Sequence, residues 1–258
     1  METTTTPIVA AEQKVREDLA ALYRLMAHFR MTDMIDTHIT ARLPGAKPAF
    51  LINRYGVLFH EMRASDLVKI DYEGKVIDER ARDTPELFVV NEAGFTIHSA
   101  VHMAREDIAF VVHTHTAAGT AVSAQEQGLL PISQHALKFY GNLAYHGYEG
   151  IALDLDERDR LVADLGNHKA MILANHGLLV AGRTIPEAFQ NIYYLERACQ
   201  AQIAAQSGGA ELILPPEEVR LKTAKQFNRP GEEALAHYDW AWTSALRLIE
   251  NDRPDYRS

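Results

Sequence analysis

The first thirty residues of the chain carry apolar side chains at helical spacing. Five of them follow one another at intervals of three or four positions, which places them on one face of a helix: Val15, Leu19, Leu22, Met26 and Phe29. We therefore predict an amphipathic helix from Val9 to Arg30. The threonine-rich residues 1–8 lack this spacing and are expected to form a disordered tail.

Short β-type runs replace the helical spacing between residues 37 and 78. Apolar and polar residues alternate in the first run, and the others are short β-type runs. The pattern predicts four strands: Thr37–Leu43, Phe50–Asn53, Leu67–Asp71 and Lys75–Asp78. Glu73 and Gly74 predict a hairpin turn between the last two of these strands.

Further along, predicted helices alternate with continuous apolar runs, which indicate buried strands. Strands are predicted at Ile108–Val112, Ala170–Ala174 and Gly177–Ala181. Helices are predicted at Gly94–Arg105, Thr116–Gln127, Asp156–Gly166 and Thr184–Gln206, the last opening on a capping box. These elements predict an α/β protein, a three-layer α/β/α sandwich with a central, mostly antiparallel sheet.

The C-terminal part of the chain reads as helical. Two helices are predicted after Pro215-Pro216, and the last of them runs from Gly231 to Glu250. We expect residues 9–210 to form one domain and residues 211–258 to form a helical extension packed on it.

Composition narrows the classes of function. A chain of 258 residues with 47% hydrophobic residues can bury a full core as an ordinary soluble protein. A net charge of −9 argues against nucleic acid and anionic membrane surfaces as partners. The single cysteine, Cys199, excludes an intrachain disulfide, and neither a signal peptide nor a membrane span is expected. A cytoplasmic location fits these features.

Three histidines lie at the ends of predicted buried strands. His113 and His115 end one apolar run, and His176 follows another. Residues i and i+2 of an extended chain face the same way, so the first two imidazoles can converge. A third imidazole from a neighbouring strand end gives a three-ligand set with open positions, as in catalytic metal sites. The chain has 12 histidines, so the spacing of the pair alone also fits a chance arrangement.

Three neutral imidazoles suit one divalent metal ion. Zn²⁺ is the expected ion, and Mn²⁺, Co²⁺ and Fe²⁺ are alternatives. Such an ion polarises a bound carbonyl or hydroxyl, which serves aldol cleavage, decarboxylation and epimerisation. With Fe²⁺ the same ligands also permit oxygen activation.

Four segments of the chain occur in an order and at a spacing that characterise a known family: Phe95–His98, Val111–Thr116, Leu173–Leu178 and Glu196–Cys199. Through them the chain resembles the class II aldolase/adducin family over residues 15–205. The resemblance implies an α/β/α domain with a central antiparallel sheet and a divalent metal held by three histidines. It also implies a homo-oligomer, typically a tetramer, with active sites at subunit interfaces. It assigns the metal-ligand positions to His113, His115 and His176.

The sequence departs from the sugar-phosphate aldolases of this family near His98. Those enzymes carry Ser-Ser-Glu before this helix, and the glutamate is their catalytic acid/base. Alignment on Ile97-His98 puts Gly94 at the glutamate position and Glu92 at the position of a phosphate-binding serine. Glu92 is a candidate catalytic residue if the register shifts by two positions.

The phosphate-binding loops of those aldolases are replaced as well. Asp36–Thr40 takes the place of one loop and Arg54–Gly56 the place of the other. Phosphate recognition uses small hydroxyls and backbone N–H groups, so His38 and Tyr55 at these places argue against a sugar phosphate.

Three residues of the replaced loops are candidate substrate-binding residues: His38, Arg54 and Tyr55. Arg54 is expected to pair with a substrate carboxylate. His135 takes the position of a tyrosine that the aldolases contribute from a neighbouring subunit, and its imidazole is a candidate general acid.

This pattern is more similar to the adducin head and its bacterial relatives than to the aldolases. Relatives of that kind include metal-dependent decarboxylases and non-haem iron oxygenases. We therefore expect a metal-dependent lyase that decarboxylates, or cleaves by retro-aldol reaction, a small non-phosphorylated hydroxy, keto or aromatic acid. Two alternatives stay open: a non-haem iron oxygenase on the same site and a non-catalytic oligomeric module like the adducin head.

Overall fold

The computed structural model of the chain describes residues 7–45, 47–151, 156–229, 231–251 and 253–258. The first helix, α1, spans Pro7–His28, which confirms the predicted amphipathic helix to within two residues at each end. Residues 1–6 of the predicted tail lie outside the described residues.

A central sheet of seven strands organises the molecule. In chain order the strands are β1 His38–Arg42, β2 Ala49–Asn53, β3 Leu67–Asp71, β4 Phe110–Thr114, β5 Ala144–His146, β6 Ala170–Leu173 and β7 Gly177–Gly182. Their spatial order is β3-β2-β1-β4-β7-β6-β5, and only the pair of β5 and β6 is parallel. The predicted mostly antiparallel sheet is therefore confirmed.

Helices cover both faces of this sheet. After α1 they are α2 Glu92–Ala104, α3 Ala117–Ser123, α4 Gln134–Leu137, α5 Glu157–Leu165, α6 Ile185–Ser207, α7 Glu217–Phe227 and α8 Glu232–Glu250. Successive residues of β4 show the three layers, because side chains alternate along a strand. Val112 packs in a core with residues of α1, α6 and α8, whereas Val111 packs with residues of α2 and α5. Both faces of the central strand are thus buried, which explains its continuous apolar run.

The C-terminal helix is part of the main core. Three residues of α8 belong to the same buried cluster as Leu19 of α1: Trp242, Ala245 and Ile249. Tyr256, which follows the helix, belongs to this cluster as well. In the described part of the chain, no helix has the length and apolar character needed to span a membrane.

Several predicted boundaries were wrong. Residues 75–78 do not form a fourth strand, since only Val76 bridges to Ile70 and the Asp78 carboxylate instead binds Arg16 and Arg80. Strand β5 and helix α4 were not predicted at all, because three- and four-residue elements are too short to show a period. Helix α3 ends at Ser123 and not at Gln127.

The boundary of β4 also matters for function. This strand runs to Thr114 because β1 and β7 pair with it, and His113 pairs with His38 on one side and Leu179 on the other. His113 is thus the penultimate residue of a central strand, whereas the apolar run alone predicted that the strand ends at Val112.

Candidate metal centre

The three predicted metal ligands meet at one edge of the sheet. His113 is in β4, His115 follows it by two residues, and His176 lies in the turn that joins β6 to β7. Because β4 and β7 are antiparallel neighbours, the end of β4 lies beside the start of β7. Tertiary pairing therefore brings together residues that are more than sixty positions apart.

The imidazoles converge through one atom each. The Nε2 atoms of His113 and His115 are 2.8 Å apart, those of His113 and His176 3.3 Å, and those of His115 and His176 2.9 Å. A tetrahedral ion about 2.0–2.1 Å from each nitrogen would separate them by about 3.3 Å. The donor set therefore fits one divalent metal ion after a small outward movement of the rings.

Contacts on the far side of two rings orient them for this role. Nδ1 of His113 lies 2.9 Å from the carbonyl oxygen of Leu178, which can only accept a hydrogen bond, so Nδ1 carries the proton. Nδ1 of His115 lies 3.1 Å from a carboxylate oxygen of Asp33. Both contacts leave the Nε2 lone pair for the metal, as outer partners of metal-binding histidines do.

Burial keeps two of the ligands neutral. It holds the pKa of His113 well below the ordinary value of 6.5, and neighbouring histidines lower it further. Burial also lowers the pKa of His176 to about 4, with the charge of His115 acting in the same direction. A neutral imidazole is the form that binds a metal, so these rings need not lose a proton near neutral pH.

Unusual backbone conformations precede two of the site histidines. Thr37, before His38, has a φ of 70°, and Asn175, before His176, has a φ of 54°. Asparagine tolerates this left-handed region, but a β-branched residue there is a genuine outlier. The Thr37 side chain is buried and its hydroxyl has no partner among the described residues. Backbone strain of this kind clusters at functional sites.

The glycine after His176 is required by close packing of two strands. A Cβ at Gly177 would lie 2.4 Å from the backbone carbonyl oxygen of Thr114. Real Cβ atoms essentially never approach backbone so closely, so a larger residue would push β7 away from β4. In the His-Gly pair, His176 is a candidate ligand, and Gly177 allows β7 to lie close to β4, which carries His113.

A buried row of hydrogen bonds lies behind the metal centre. Nδ1 of His38 is 2.9 Å from Nε2 of His98, Nδ1 of His98 is 2.7 Å from the Thr40 hydroxyl, and this hydroxyl is 2.8 Å from Nε2 of His102. The ring of His38 also stacks on that of His113, with centroids 5.1 Å apart. Every member of the row is at most 3% exposed, so the row fixes the orientation of His38 against a metal ligand.

Gly94 and His38 occupy one space. A Cβ on Gly94 would lie 2.4 Å from Cδ2 of the His38 ring and 2.8 Å from its Nε2. Gly94 is in the first turn of α2, where Asn91 caps the helix by accepting a hydrogen bond from the Gly94 N–H. The imidazole of His38 therefore fills the place that a side chain at position 94 would take.

A cavity of about 720 Å³ opens in front of the three histidines. Besides the three predicted metal ligands, three predicted functional residues line it: Glu92, His38 and Tyr55. Glu92 is exposed at the start of α2, and Tyr55 is 39% exposed. The acidic residues Asp33 and Asp36 also line the cavity, while none of its described lining residues is a lysine or an arginine.

Two predicted residues lie elsewhere. Arg54 does not line the cavity, and its guanidinium pairs with Asp66 at 2.8 Å; its role in holding a substrate carboxylate stays a prediction. His135 is in α4 and packs edge-on against Tyr194, with ring centroids 4.9 Å apart. It does not line the cavity of its own chain, and its role as a general acid from a neighbouring subunit stays a prediction.

Several residues of the site were missed at the sequence level. Asp33 reaches His115 from the loop after α1, and nothing in its local sequence marks it. The row behind His38 did have a signal, since His98 and His102 are four residues apart on one helix face. His38 and Thr40 are likewise two residues apart on one strand face.

The buried histidines predict an acid-sensitive fold in the metal-free protein. Burial lowers the pKa of His102 from 6.5 to about 3, and the pKa values of His38 and His98 well below 6.5. The unfolded chain therefore binds more protons below pH 6.5, so stability is lost as pH falls from 6.5 towards the folded-state values. Replacing His102 with glutamine should reduce the slope of unfolding free energy against pH by about 1 kcal/mol per pH unit between pH 6 and 4.

Urea unfolding of metal-stripped protein at a series of pH values measures this slope. The matched control is His60→Gln, because His60 is exposed and is not a member of the row. Equal slopes in wild type and His102→Gln, with His60→Gln also unchanged, would show that His102 does not carry the acid sensitivity.

A three-layer sandwich with three converging imidazoles at a sheet edge defines an α/β protein with a candidate metal centre. The family model "Class II Aldolase and Adducin N-terminal domain" matches residues 17–203, and the chain belongs to this family. The predicted resemblance is thereby confirmed.

Relatives extend this result over almost the whole chain. An aldolase II superfamily protein from Pseudomonas syringae is 50% identical, with a TM-score of 0.88 and 96% of each chain covered. L-fuculose 1-phosphate aldolase from Glaciozyma antarctica is 30% identical, with a TM-score of 0.83, 100% of this chain and 97% of that chain covered. Alpha-adducin of Mus musculus is 38% identical over 93% of this chain, which corresponds to 33% of the adducin.

Proposed function

We propose that this protein is a metal-dependent carbon–carbon lyase. It decarboxylates, or cleaves by retro-aldol reaction, a small non-phosphorylated hydroxy, keto or aromatic acid. The observation that carries the proposal is the convergence of three Nε2 atoms within 3.3 Å of one another at the floor of a cavity of about 720 Å³. Three protein ligands leave further coordination positions open, as catalytic sites require.

His113, His115 and His176 hold one divalent ion, for which zinc is the expected identity. When bound, this ion supplies Lewis acidity to a substrate carbonyl or hydroxyl. The ligands are preorganised for the ion. Leu178 and Asp33 orient the rings of His113 and His115, and burial keeps His113 and His176 neutral.

Proton transfer and substrate orientation fall to side chains around the cavity. Glu92 is an exposed carboxylate at its rim and takes or returns a proton. The Tyr55 hydroxyl and the ring of His38 hydrogen-bond substrate oxygens; the described residues offer Nε2 of His38 no other partner. His135 of a neighbouring subunit acts as general acid in a homotetramer with its active sites at subunit interfaces.

Charge supports a substrate without phosphate. Three carboxylates line the cavity, those of Asp33, Asp36 and Glu92, and no lysine or arginine is among its described lining residues. A phosphate dianion would lie close to these carboxylates without a cation to pair with apart from the metal. A single carboxylate or a neutral carbonyl group is repelled less. The name of the Glaciozyma relative nevertheless makes L-fuculose 1-phosphate the obvious comparison substrate.

Turnover of a substrate panel tests this proposal. The zinc-loaded protein is incubated with β-keto acids, hydroxy acids, hydroxylated aromatic acids and L-fuculose 1-phosphate, and CO₂ and aldehyde products are measured. We expect product only from non-phosphorylated acids, and only with metal present. His135→Ala should lower turnover, and unchanged turnover in this variant would remove His135 from the mechanism. Cleavage of the sugar phosphate alone would overturn the proposed substrate class.

Two other outcomes would replace the lyase. Oxygen uptake that requires iron, with no activity under anaerobic conditions, would identify a non-haem iron oxygenase on the same histidines. The second candidate is a non-catalytic oligomeric module, which the 38% identity to alpha-adducin over 93% of the chain favours. No turnover of any substrate, with a metal whose removal changes only stability, would support that module.

A further inference from the structure

A second cavity, of about 480 Å³, lies at the opposite edge of the sheet from the metal centre. Strands β6 and β7 connect the two places. Leu173 and Gly177 pair at the metal end, whereas Ala170 lines the second cavity near the other end of the same pair. The end of α4, the start of α6 and the start of α8 complete its walls. No residue is shared between the linings of the two cavities.

The second cavity concentrates positive charge. Four cationic side chains line it: Lys138, Lys169, Arg183 and Arg229. Two carboxylates, those of Glu187 and Glu232, also line it. The formal charge of the lining is therefore positive, although the chain has a net charge of −9. The cavity at the metal centre has a negatively charged lining, with three carboxylates and no lysine or arginine among its described lining residues. This local reversal of sign creates a site with a positive potential, which attracts anions.

Glu187 is already engaged by two of these cations. One of its carboxylate oxygens accepts a hydrogen bond from Lys169 at 2.5 Å, and the other accepts from the backbone N–H of Arg183 at 2.8 Å and from its Nε at 3.4 Å. These contacts hold its pKa below the usual value despite burial, which acts in the opposite direction. Glu187 therefore does not neutralise the remaining charge of the cavity.

Lys138 is buried without an acidic partner. It is 2% exposed, and its ammonium lies 5.0 Å from the ring centroid of Tyr238 and 5.5 Å from that of Tyr194. Its hydrogen bonds, to Gln190 and to the Tyr238 hydroxyl, are both long at 3.4 Å. Within the described ranges, no carboxylate lies at ion-pair distance from this ammonium.

Leaving such a charge uncompensated is costly for the fold. Burial lowers the pKa of Lys138 to about 8, and the charge of Glu187 only partly opposes this effect. A buried cation is stable when a partner carries the opposite charge. Because Lys138 lines the cavity, an anion bound there would be that partner.

The start of α8 adds backbone N–H groups to the cavity, together with the carboxylate of its first residue, Glu232. Gly231 is the N-cap residue, and it has no side chain to accept a hydrogen bond from the first N–H groups of this 19-residue helix. Gly231 and Glu232 both line the cavity. The N-terminus of a helix favours negative charge through its unpaired N–H groups and its dipole.

We propose that this cavity binds a small organic molecule with a doubly charged anionic group, either a phosphate ester or a dicarboxylate. Lys138 and Arg183 contact the anion, and the first turn of α8 completes the site. Its size suits a metabolite of a few carbon atoms, because ligand pockets of about 300–1,000 Å³ enclose most of a small molecule. The site is separate from the metal centre and does not depend on the lyase reaction.

Calorimetric titration of the full chain tests the site. The probes are glycerol 3-phosphate, malonate and acetate, at matched ionic strength. We expect at least one dianion to bind with a Kd at least tenfold lower than that of acetate. Whether glycerol 3-phosphate or malonate binds more tightly identifies the source of the charge.

Variants assign the residues. Lys138→Met retains the length of the side chain within the aromatic rings and removes its charge, and Arg183→Gln removes an exposed charge at the rim. Each should weaken dianion binding at least tenfold, while Arg82→Gln, an exposed arginine outside the cavity, and His113→Ala should not. If Lys138→Met does not fold, Arg183→Gln decides the test. Dianions that bind no better than acetate, or full affinity in Arg183→Gln, would overturn the proposal.

Discussion

Replacing His113 with alanine is expected to remove the bound divalent metal and, with it, all lyase turnover. His113 contributes one of three converging Nε2 atoms, and its ring is fully buried between His38 and the other two ligands. The loss of a residue that only orients a ligand already weakens metal affinity by about 10- to 100-fold. Loss of a ligand itself should therefore weaken it by more than about 100-fold. His176→Ala should have the same effect for the same reason.

Elemental analysis of the purified variants measures this effect independently of any substrate. Wild type should contain about one metal ion per chain, and the two ligand variants almost none. Asp33→Asn should give an intermediate affinity, because it weakens the acceptor of the His115 Nδ1 proton without removing a ligand. His60→Ala, which changes an exposed histidine, is the control and should retain the metal. A full metal complement in His113→Ala would rule out the proposed centre.

The second large effect is expected from Gly94→Ala, a change of one methyl group. The new Cβ would lie 2.4 Å from Cδ2 of His38, and His38 cannot move freely because it bonds His98 and stacks on His113. Overpacking of this kind costs about 1–3 kcal/mol. We expect that loss in the free energy of unfolding and a displaced His38 ring, with weaker metal binding because the ring supports His113. Urea unfolding and metal titration measure the two effects.

The control for this variant is Gly208→Ala, since nothing lies within 4 Å of a Cβ at Gly208 and its φ is −90°. Its unfolding free energy should change by less than about 0.5 kcal/mol. The double variant Gly94→Ala, His38→Ala separates the cause, because removing the ring makes room for the new methyl group. If Gly94→Ala costs as much stability in the His38→Ala background as in wild type, the clash is not the reason.

The pairing of Gly94 with His38 gives a physical reason for the departure from the aldolase pattern. The resemblance to the sugar-phosphate aldolases predicts that Gly94 stands where those enzymes have an acidic residue, and the sequence offered no reason for this. In the structure the imidazole of His38 occupies the space into which a side chain at position 94 would extend. The two departures, His38 at the start of β1 and Gly94 in α2, are therefore linked by packing.

The sequence determined those features that depend on local pattern. Helical spacing located α1, a capping box located the start of α6, and the apolar runs located β4, β6 and β7; these elements indicated the three-layer fold. Two histidines two residues apart at the end of such a run, and a third in His-Gly, indicated the candidate metal ligands, and the family resemblance assigned them. Local pattern predicts these features because the hydrophobic period and the alternation of side chains act over a few residues.

Only the tertiary structure decided which distant residues meet these ligands. Asp33 reaches His115, the row from His38 to His102 forms behind His113, and Arg54 turns away to Asp66. The cationic cavity around Lys138 likewise joins four elements that are remote in sequence. The direction of a side chain and its partner depend on which strands and helices pack together. No local pattern carries that information, because the contacts arise from pairing between segments tens of residues apart.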